Sequence, residues 1–303
     1  MEENKKILVF GGTGHYGQRI VKSLLAKKVE VRVLTRNPDK AQTLFGNSVE
    51  VVFGDVLSKN CIINSLKDVS GVVISLSAIN PKQIRQMKRI ELYAVISIIE
   101  KMEILGIDRL VFISVYDLRI ELLKRLKIMK LGEIKLAVEK RIRESKLNWT
   151  ILGCPPSFEI FFSLLRGTRL IAPGGCKNRI ACQSPDDLGE VASQAILRND
   201  LGGKRFRMAG PEAVNFPEVA KRMSVYSGKK IKLFTPPLLL FNVISWIVKP
   251  FNPFIRFIYY SLKLMNNFPE DLAEQVPGDH QLLLAEFDYQ PKSLDDEIAI
   301  TFR

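Results

Sequence analysis

Four apolar residues, Ile7-Leu8-Val9-Phe10, lead straight into seven positions that hold four glycines, Gly11-Gly12-Thr13-Gly14-His15-Tyr16-Gly17. A β-branched run that stops at such a stretch reads as a strand turning sharply into a helix. Gly11-x-x-Gly14-x-x-Gly17, or equally Gly12-x-Gly14-x-x-Gly17, is the spacing a dinucleotide pyrophosphate demands in that setting. The first glycine permits the tight turn, the middle one lets backbone N–H groups approach phosphate, and the last allows helix to pack closely on strand. The helix N-terminus adds its partial positive charge.

The rest of the first half continues the same theme. Val- and Ile-rich runs recur at residues 29–34, 49–53, 71–76, 109–114 and 149–152, nearly continuous in apolar character, as strands covered on both faces must be. Helical patterns separate them at Tyr16–Lys27, Pro38–Phe45, Ser58–Leu66, Gln83–Leu105 and Lys130–Ser145. Such alternation predicts an α/β fold, a doubly wound parallel Rossmann-type sheet, with right-handed crossovers. Beyond Cys154 a Pro/Gly-rich segment intervenes. Ser184-Pro185-Asp186-Asp187 then marks a helix start, with Ser at the N-cap and Pro at N1. That helix should reach about Leu197, and residues 204–210 (KRFRMAG) should return one more strand to the sheet. The predicted division is a dinucleotide-binding domain over residues 1–154, with this returning helix and strand at about 181–210. A smaller, mainly helical lobe over 155–303 would carry the substrate side and the lid.

The second strand ends Leu34-Thr35-Arg36-Asn37, with no acid at its tip. A carboxylate there would hold the ribose hydroxyls of NAD, whereas a guanidinium pairs bidentately with a 2′-phosphate. Arg36 therefore points to NADP(H) as cofactor. The four cysteines, Cys61, Cys154, Cys176 and Cys182, form no CxxC pair, and with only two histidines the chain offers no metal site. They read as reduced thiols of a cytoplasmic protein, in keeping with the mixed-charge start MEENKK, which is no secretory signal. Cys154 is expected to be a buried or lining thiol rather than a nucleophile. His280, in Pro277-Gly278-Asp279-His280, reads as a late surface-loop histidine.

With the glycine pattern stand a Thr35-Arg36-Asn37-Pro38 corner, Gly54-Asp55 after the third strand, Lys135-x-x-x-Glu139 and Asn148-Trp149-Thr150-Ile151-Leu152. In this order and spacing the chain resembles the NmrA-like branch of the atypical short-chain dehydrogenase/reductases over most of residues 5–210. Tyr289-Gln290-Pro291-Lys292-Ser293-Leu294 is similar to a common family ending. The resemblance implies a cofactor site. Thr13, His15 and Tyr16 would line the pyrophosphate loop beside Gly11, Gly14 and Gly17, Asp55 and Val56 would meet the adenine, Leu76 and Ser77 would lie along the cofactor, and Lys135 would reach the nicotinamide ribose. It also implies a Tyr-x-x-x-Lys pair, yet four residues before Lys135 stands Leu131. Ser114 and Tyr116, near the end of the fifth strand, are the remaining hydroxyl candidates beside Lys135 for catalysis. Gly153-Cys154 precede Pro155 where the family shows Arg-Pro.

Residues 237–262 are mostly apolar, but Lys249-Pro250 and Asn252-Pro253 interrupt them, so no spanning helix is expected. Two short helices, Leu238–Val248 and Phe254–Leu264, would cap the substrate pocket, dock on a protein partner, or rest on a membrane surface. The balance of 45 Lys+Arg against 32 Asp+Glu, a net +13, suits anionic partners, although no RNA-binding or zinc-finger pattern accompanies it and nucleic acid is not expected. Three functions follow: an NADPH-dependent oxidoreductase acting on a hydrophobic small molecule, a catalytically silent NADP-binding redox sensor, regulatory or assembly protein, or a nucleotide-sugar epimerase-like enzyme, which the missing Tyr disfavours. Either a monomer or a homodimer fits.

Overall fold

A computed structural model describes residues 6–117 and 119–302; the start of the mixed-charge segment, residues 1–5, lies outside them. In chain order the strands are β1 Lys6–Phe10, β2 Glu30–Thr35, β3 Glu50–Phe53, β4 Gly71–Ile74, β5 Arg109–Val115, β6 Asn148–Cys154, β7 Leu165–Arg166, β8 Arg169–Ile171, β9 Ile180–Ala181, β10 Lys204–Arg207, β11 Ala213–Val214 and β12 Lys232–Phe234. The helices are α1 Gly17–Ala26, α2 Pro38–Phe45, α3 Lys59–Ser65, α4 Ala94–Leu105, α5 Ile120–Arg125, α6 Glu133–Arg143 and α7 Glu159–Ser163, followed by α8 Pro185–Leu197, α9 Phe216–Ser227, α10 Leu238–Val248, α11 Pro253–Asn266, α12 Glu270–Glu286 and α13 Leu294–Thr301.

Seven strands form one parallel sheet in the order β10-β6-β5-β4-β1-β2-β3, with β1 register running Val9 to Val33 on one side and Phe10 to Ile74 on the other. Side chains alternate along each strand, and both faces are covered. Ile7, Val9, Val33, Val73 and Val111 pack under α1 and α8, while Leu8, Phe10, Leu34, Ile74 and Phe112 pack under α3, α4 and α6. This is why the strands read as unbroken apolar runs rather than as alternating ones. The expected returning strand is β10, parallel to β6, and α8 begins as expected at Ser184, whose side chain accepts from Asp186 N–H. Helices α1 and α8 lie so close that a Cβ on Gly189 would sit 2.8 Å from the Arg19 carbonyl, and Ser23 and Ser193 share a buried 2.6 Å hydrogen bond.

The C-terminal part is mainly helical, as expected. It also holds two small sheets, β12-β8-β7 and β11-β9, around Phe158, Phe161, Phe216, Val219 and Met223.

Three expectations need correction. The continuous helix over Gln83–Leu105 is instead a 3-10 turn at Ile84–Gln86, a π-helical turn at Arg89–Tyr93 and then α4. This turn buries the adjacent Ile90 and Glu91. The helix expected over Lys130–Ser145 starts only at Glu133, since Gly132 departs from helical geometry at φ −125°. The supposed surface loop around His280 is the middle of α12. Pro277 sits inside that helix, His280 is buried, and its Nδ1 lies 3.1 Å from the Ala209 carbonyl oxygen. Partners across the fold hold these residues where local Pro-Gly propensity alone would end a helix.

Candidate functional site

In a doubly wound sheet the ligand crevice opens at the carboxyl ends of the strands, where the order reverses. Here that point lies between β1 and β4. The loop after β1 packs against the chain after β4 with no room for a side chain at Gly11. Gly11 has φ +81° and a Cβ on it would strike the Ser75 carbonyl oxygen, while a Cβ on Gly17 would strike the carbonyl oxygen of Gly11. Gly14 N–H donates to the Gly11 carbonyl at 2.8 Å and tightens the turn. Helix α1 then begins with neither an acid in its first turn nor a side-chain cap. Gln18 N–H and Arg19 N–H donate to the Gly14 and Tyr16 carbonyls, so what the helix start offers a pyrophosphate is its positive dipole end with no acid to neutralise it.

A cavity of about 880 Å³ starts at this loop. All the nominated cofactor residues except Gly17 line it: Gly11, Thr13, Gly14, His15, Tyr16, Arg36, Asp55, Val56, Leu76, Ser77 and Lys135. Gly17 lies beneath the loop, where the close approach needs it. Arg36 is 52% exposed at the rim, with Nη1 3.6 Å from Asp55 Oδ2, and Lys40 adds a second cation there. Asp55 also serves its own turn, Oδ1 accepting from Leu57 N–H at 2.9 Å. Tyr16 is turned inward, its hydroxyl donating to the Pro155 carbonyl at 3.2 Å, and burial pushes its phenol well above the ordinary range. Beside it the His15 Nδ1 is 3.5 Å from Glu159 Oε2; burial lowers the imidazole pKa, Glu159 opposes that, and Arg19 adds to it.

The three nominated catalytic side chains also meet this cavity, and each is already engaged. Lys135 Nζ lies 3.1 Å from Glu91 Oε2, donates to the Leu76 carbonyl at 3.2 Å, and sits 5.1 Å above the centre of the Phe112 ring. Ser114 Oγ donates to Glu139 Oε1 at 2.6 Å. Burial alone would raise the Glu139 pKa. Hydrogen bonds from Arg205, Ser114 and Arg143 more than offset it and hold the group below the ordinary carboxylate range. The Tyr116 hydroxyl donates to Asp279 Oδ2 at 2.5 Å, and Asp279 is held from its other oxygen by Arg207 at 2.7 and 3.1 Å. Burial, then the hydrogen bond to Asp279, pushes the Tyr116 phenol up. Cys154 is buried, and burial pushes its thiol up to about 12, the state of an inert side chain.

Two residues at this site carried no sequence signal. Glu91 is only 2% exposed; besides Lys135 it accepts from Ala78 N–H at 2.6 Å, fixing the loop after β4. Asp279 comes from α12, far along the chain. Away from the glycine loop the cavity wall turns apolar, with Ile160 and Ile180, and with Phe257, Leu264 and Met265 of α11.

The donor set fits a dinucleotide: a glycine-rich loop, a helix start with no side-chain cap or acid, and a cationic rim. The profile of a family described as NAD(P)H-binding matches residues 11–158. Prestalk A differentiation protein A of Dictyostelium discoideum is 28% identical over 75% of this chain and 71% of its own length. Photosystem II assembly factor Ycf39 of Guillardia theta is 25% identical over 77% of this chain and 74% of its own. The NADPH complex of the quinone oxidoreductase QOR2 of Escherichia coli superposes with a TM-score of 0.73 at 18% identity, over 98% of this chain and all of that one, a likeness of fold. The parallel sheet with its switch point, the glycine loop on which the profile begins and these relatives agree on an NAD(P)H-binding domain of Rossmann-type fold, with NAD(P)H as its cofactor.

Proposed function

We propose that the protein is an NADPH-dependent reductase of a hydrophobic small molecule. One observation carries this reading: a single cavity runs from the glycine loop, past Lys135, to the apolar wall of α11. Gly11, Gly14 and the α1 start would hold the pyrophosphate, Arg36 and Lys40 the 2′-phosphate, and Lys135 would reach the nicotinamide ribose. NADPH, when bound, supplies a hydride. The chain would orient the acceptor against Phe257, Leu264 and Met265 and exclude water from it. Lys135, oriented by Glu91 and the Leu76 carbonyl, would present an ammonium N–H to an acceptor oxygen as it gains negative charge. In this reading Ser114 and Tyr116 are positioning residues, since both hydroxyls donate elsewhere.

Engagement of both hydroxyls, with Leu131 in the family's Tyr position, supports a second reading. The protein would bind NADP(H) without turnover and act as a sensor or as an assembly protein, assembly being the role that the name of its Guillardia relative gives. An epimerase-like role draws less support, because that chemistry leans on the absent Tyr.

The two main readings separate on one experiment. Purified protein is mixed with NADPH and a naphthoquinone, an azo dye or an enone, and loss of NADPH absorbance is followed. Turnover above the protein-free blank, lost in Lys135→Met while NADPH still binds, is expected. Tight NADPH binding with no turnover across the acceptors would overturn the reductase reading in favour of the silent one.

A further inference from the structure

Helix α10 faces the wrong way for a helix in water. Its sequence, LLLFNVISWIV, holds no charge, and its only polar residues, Asn242 and Ser245, point into the protein. Arg256 of α11 donates to Asn242 Oδ1 at 2.6 Å and to Ser245 Oγ at 3.0 Å, and its guanidinium stacks 4.7 and 4.9 Å from the Tyr259 and Tyr260 rings. Outward stand Leu239, Leu240, Val243, Trp246 and Ile247, and at the turn after the helix Phe251; Trp246 is 70% exposed and Phe251 83%. An amphipathic helix on a protein in water buries its apolar stripe and shows its polar one. Here the stripe is inverted.

We infer that α10 lies in the surface of an anionic lipid bilayer, with its apolar face among the acyl chains. The exposed face is broad, because the adjacent pairs Leu239-Leu240 and Trp246-Ile247 are both uncovered, whereas a partner helix seats on one narrow seam. Charge points to the occupant. No Asp or Glu occurs between Glu218 and Glu270. Lys229, Lys230 and Lys232 before the helix and Lys249 after it are exposed. Arg85 donates to the Pro250 and Phe251 carbonyls, bringing beside the turn a segment, Lys82 to Arg89, that is likewise free of acids. A basic rim around an apolar face containing Trp is what an anionic interface recognises. The helix is too short to cross, since its 11 residues extend only about 16 Å against a hydrocarbon core of about 30 Å. It would lie in the plane of the interface, and among the described residues no helix is long and apolar enough to span.

The test uses the full chain with vesicles of phosphatidylcholine alone or mixed with phosphatidylglycerol, and its readout is independent of turnover. The protein should float with the anionic vesicles and less so as salt rises. Trp246 fluorescence should shift to the blue and be quenched by brominated acyl chains, whereas Trp149 is buried and should not respond. The variant Leu240→Gln/Trp246→Gln/Ile247→Gln should lose vesicle partitioning by roughly tenfold or more. Its NADPH affinity should be unchanged, since these side chains do not line the cavity. No partitioning onto anionic vesicles, or no quenching of the wild type, would overturn the inference. So would a dimer in solution that the triple variant abolishes, because the face would then belong to a second copy.

Discussion

Replacing Arg36 by Ala should separate the two nicotinamide dinucleotides. In the free protein the guanidinium is 52% exposed and meets Asp55 at 3.6 Å, an exposed pair worth about 0–1 kcal/mol. A 2′-phosphate would engage the same group bidentately, a charge-assisted contact of about 1.5–3 kcal/mol. Setting the released Asp55 contact against it leaves about 0.5–3 kcal/mol, so NADPH should bind roughly 2- to 150-fold more weakly to the variant. NADH has no phosphate at that position and should change by less than about 0.5 kcal/mol, since the lost side chain is a surface one. Lys40 lines the same rim and retains part of the attraction, so Arg36→Ala/Lys40→Ala should lose more than Arg36→Ala. Calorimetric titration of both dinucleotides at low and high salt reads this directly, and the NADPH difference should shrink as salt screens the exposed rim. Equal losses for NADH and NADPH, or an unchanged NADPH affinity, would refute the assignment of Arg36 to the phosphate.

Four further outcomes follow from the geometry. Gly17→Ala places a methyl group against the backbone of Gly11 and Gly12, so it should destabilise by at least about 1–3 kcal/mol and weaken NADPH binding, as read by melting and titration. Glu91→Ala removes one partner of a nearly buried ion pair and should cost about 3–5 kcal/mol in urea unfolding, whereas Glu91→Leu/Lys135→Met should recover most of it. Tyr116→Phe keeps the ring and frees Asp279 to Arg207 alone. It should cost about 1–2 kcal/mol of stability and leave acceptor reduction within about twofold, while a loss of tenfold or more would restore Tyr116 as proton donor. Burial raises Asp187 from 3.8 to about 7 against the opposing hydrogen bonds from Lys292 N–H. The folded state therefore holds this proton more tightly than the unfolded one. Its contribution is complete below about pH 4 and is lost as pH rises through about 7, a change of the order of 4 kcal/mol. The difference in unfolding free energy between wild type and Asp187→Asn, followed from pH 4 to 8, isolates that contribution from the carboxylates that titrate in the opposite sense.

The parts of the site that rest on backbone geometry were legible in the chain. Gly11 and Gly17 are glycines because a Cβ at either would occupy another residue's carbonyl, and such constraints leave one allowed residue type. The place of Arg36 at the cavity rim was legible for a related reason: a strand tip in this fold lies at the mouth of the crevice whatever the rest of the chain does. Helix continuity was less legible. Gly132 interrupts one expected helix, and the π-helical turn that buries Glu91 has no local composition cue. Pro277-Gly278 reads as a loop, yet Tyr116, Arg207 and Ala209 hold the residues that follow it inside α12.

Taken alone, the sequence determined the alternation of buried strands and helices, the glycine loop and the charge at the strand tip. Each of these is set by neighbours in the chain and by the period of burial. Tertiary structure alone decided which polar groups are free to act. Ser114 of β5 meets Glu139 of α6, which Arg205 of β10 also holds, and Tyr116 meets Asp279 across 163 residues. It likewise decided that α10 shows its apolar side outward, because the direction a helix faces depends on the partner that claims its polar stripe, here Arg256.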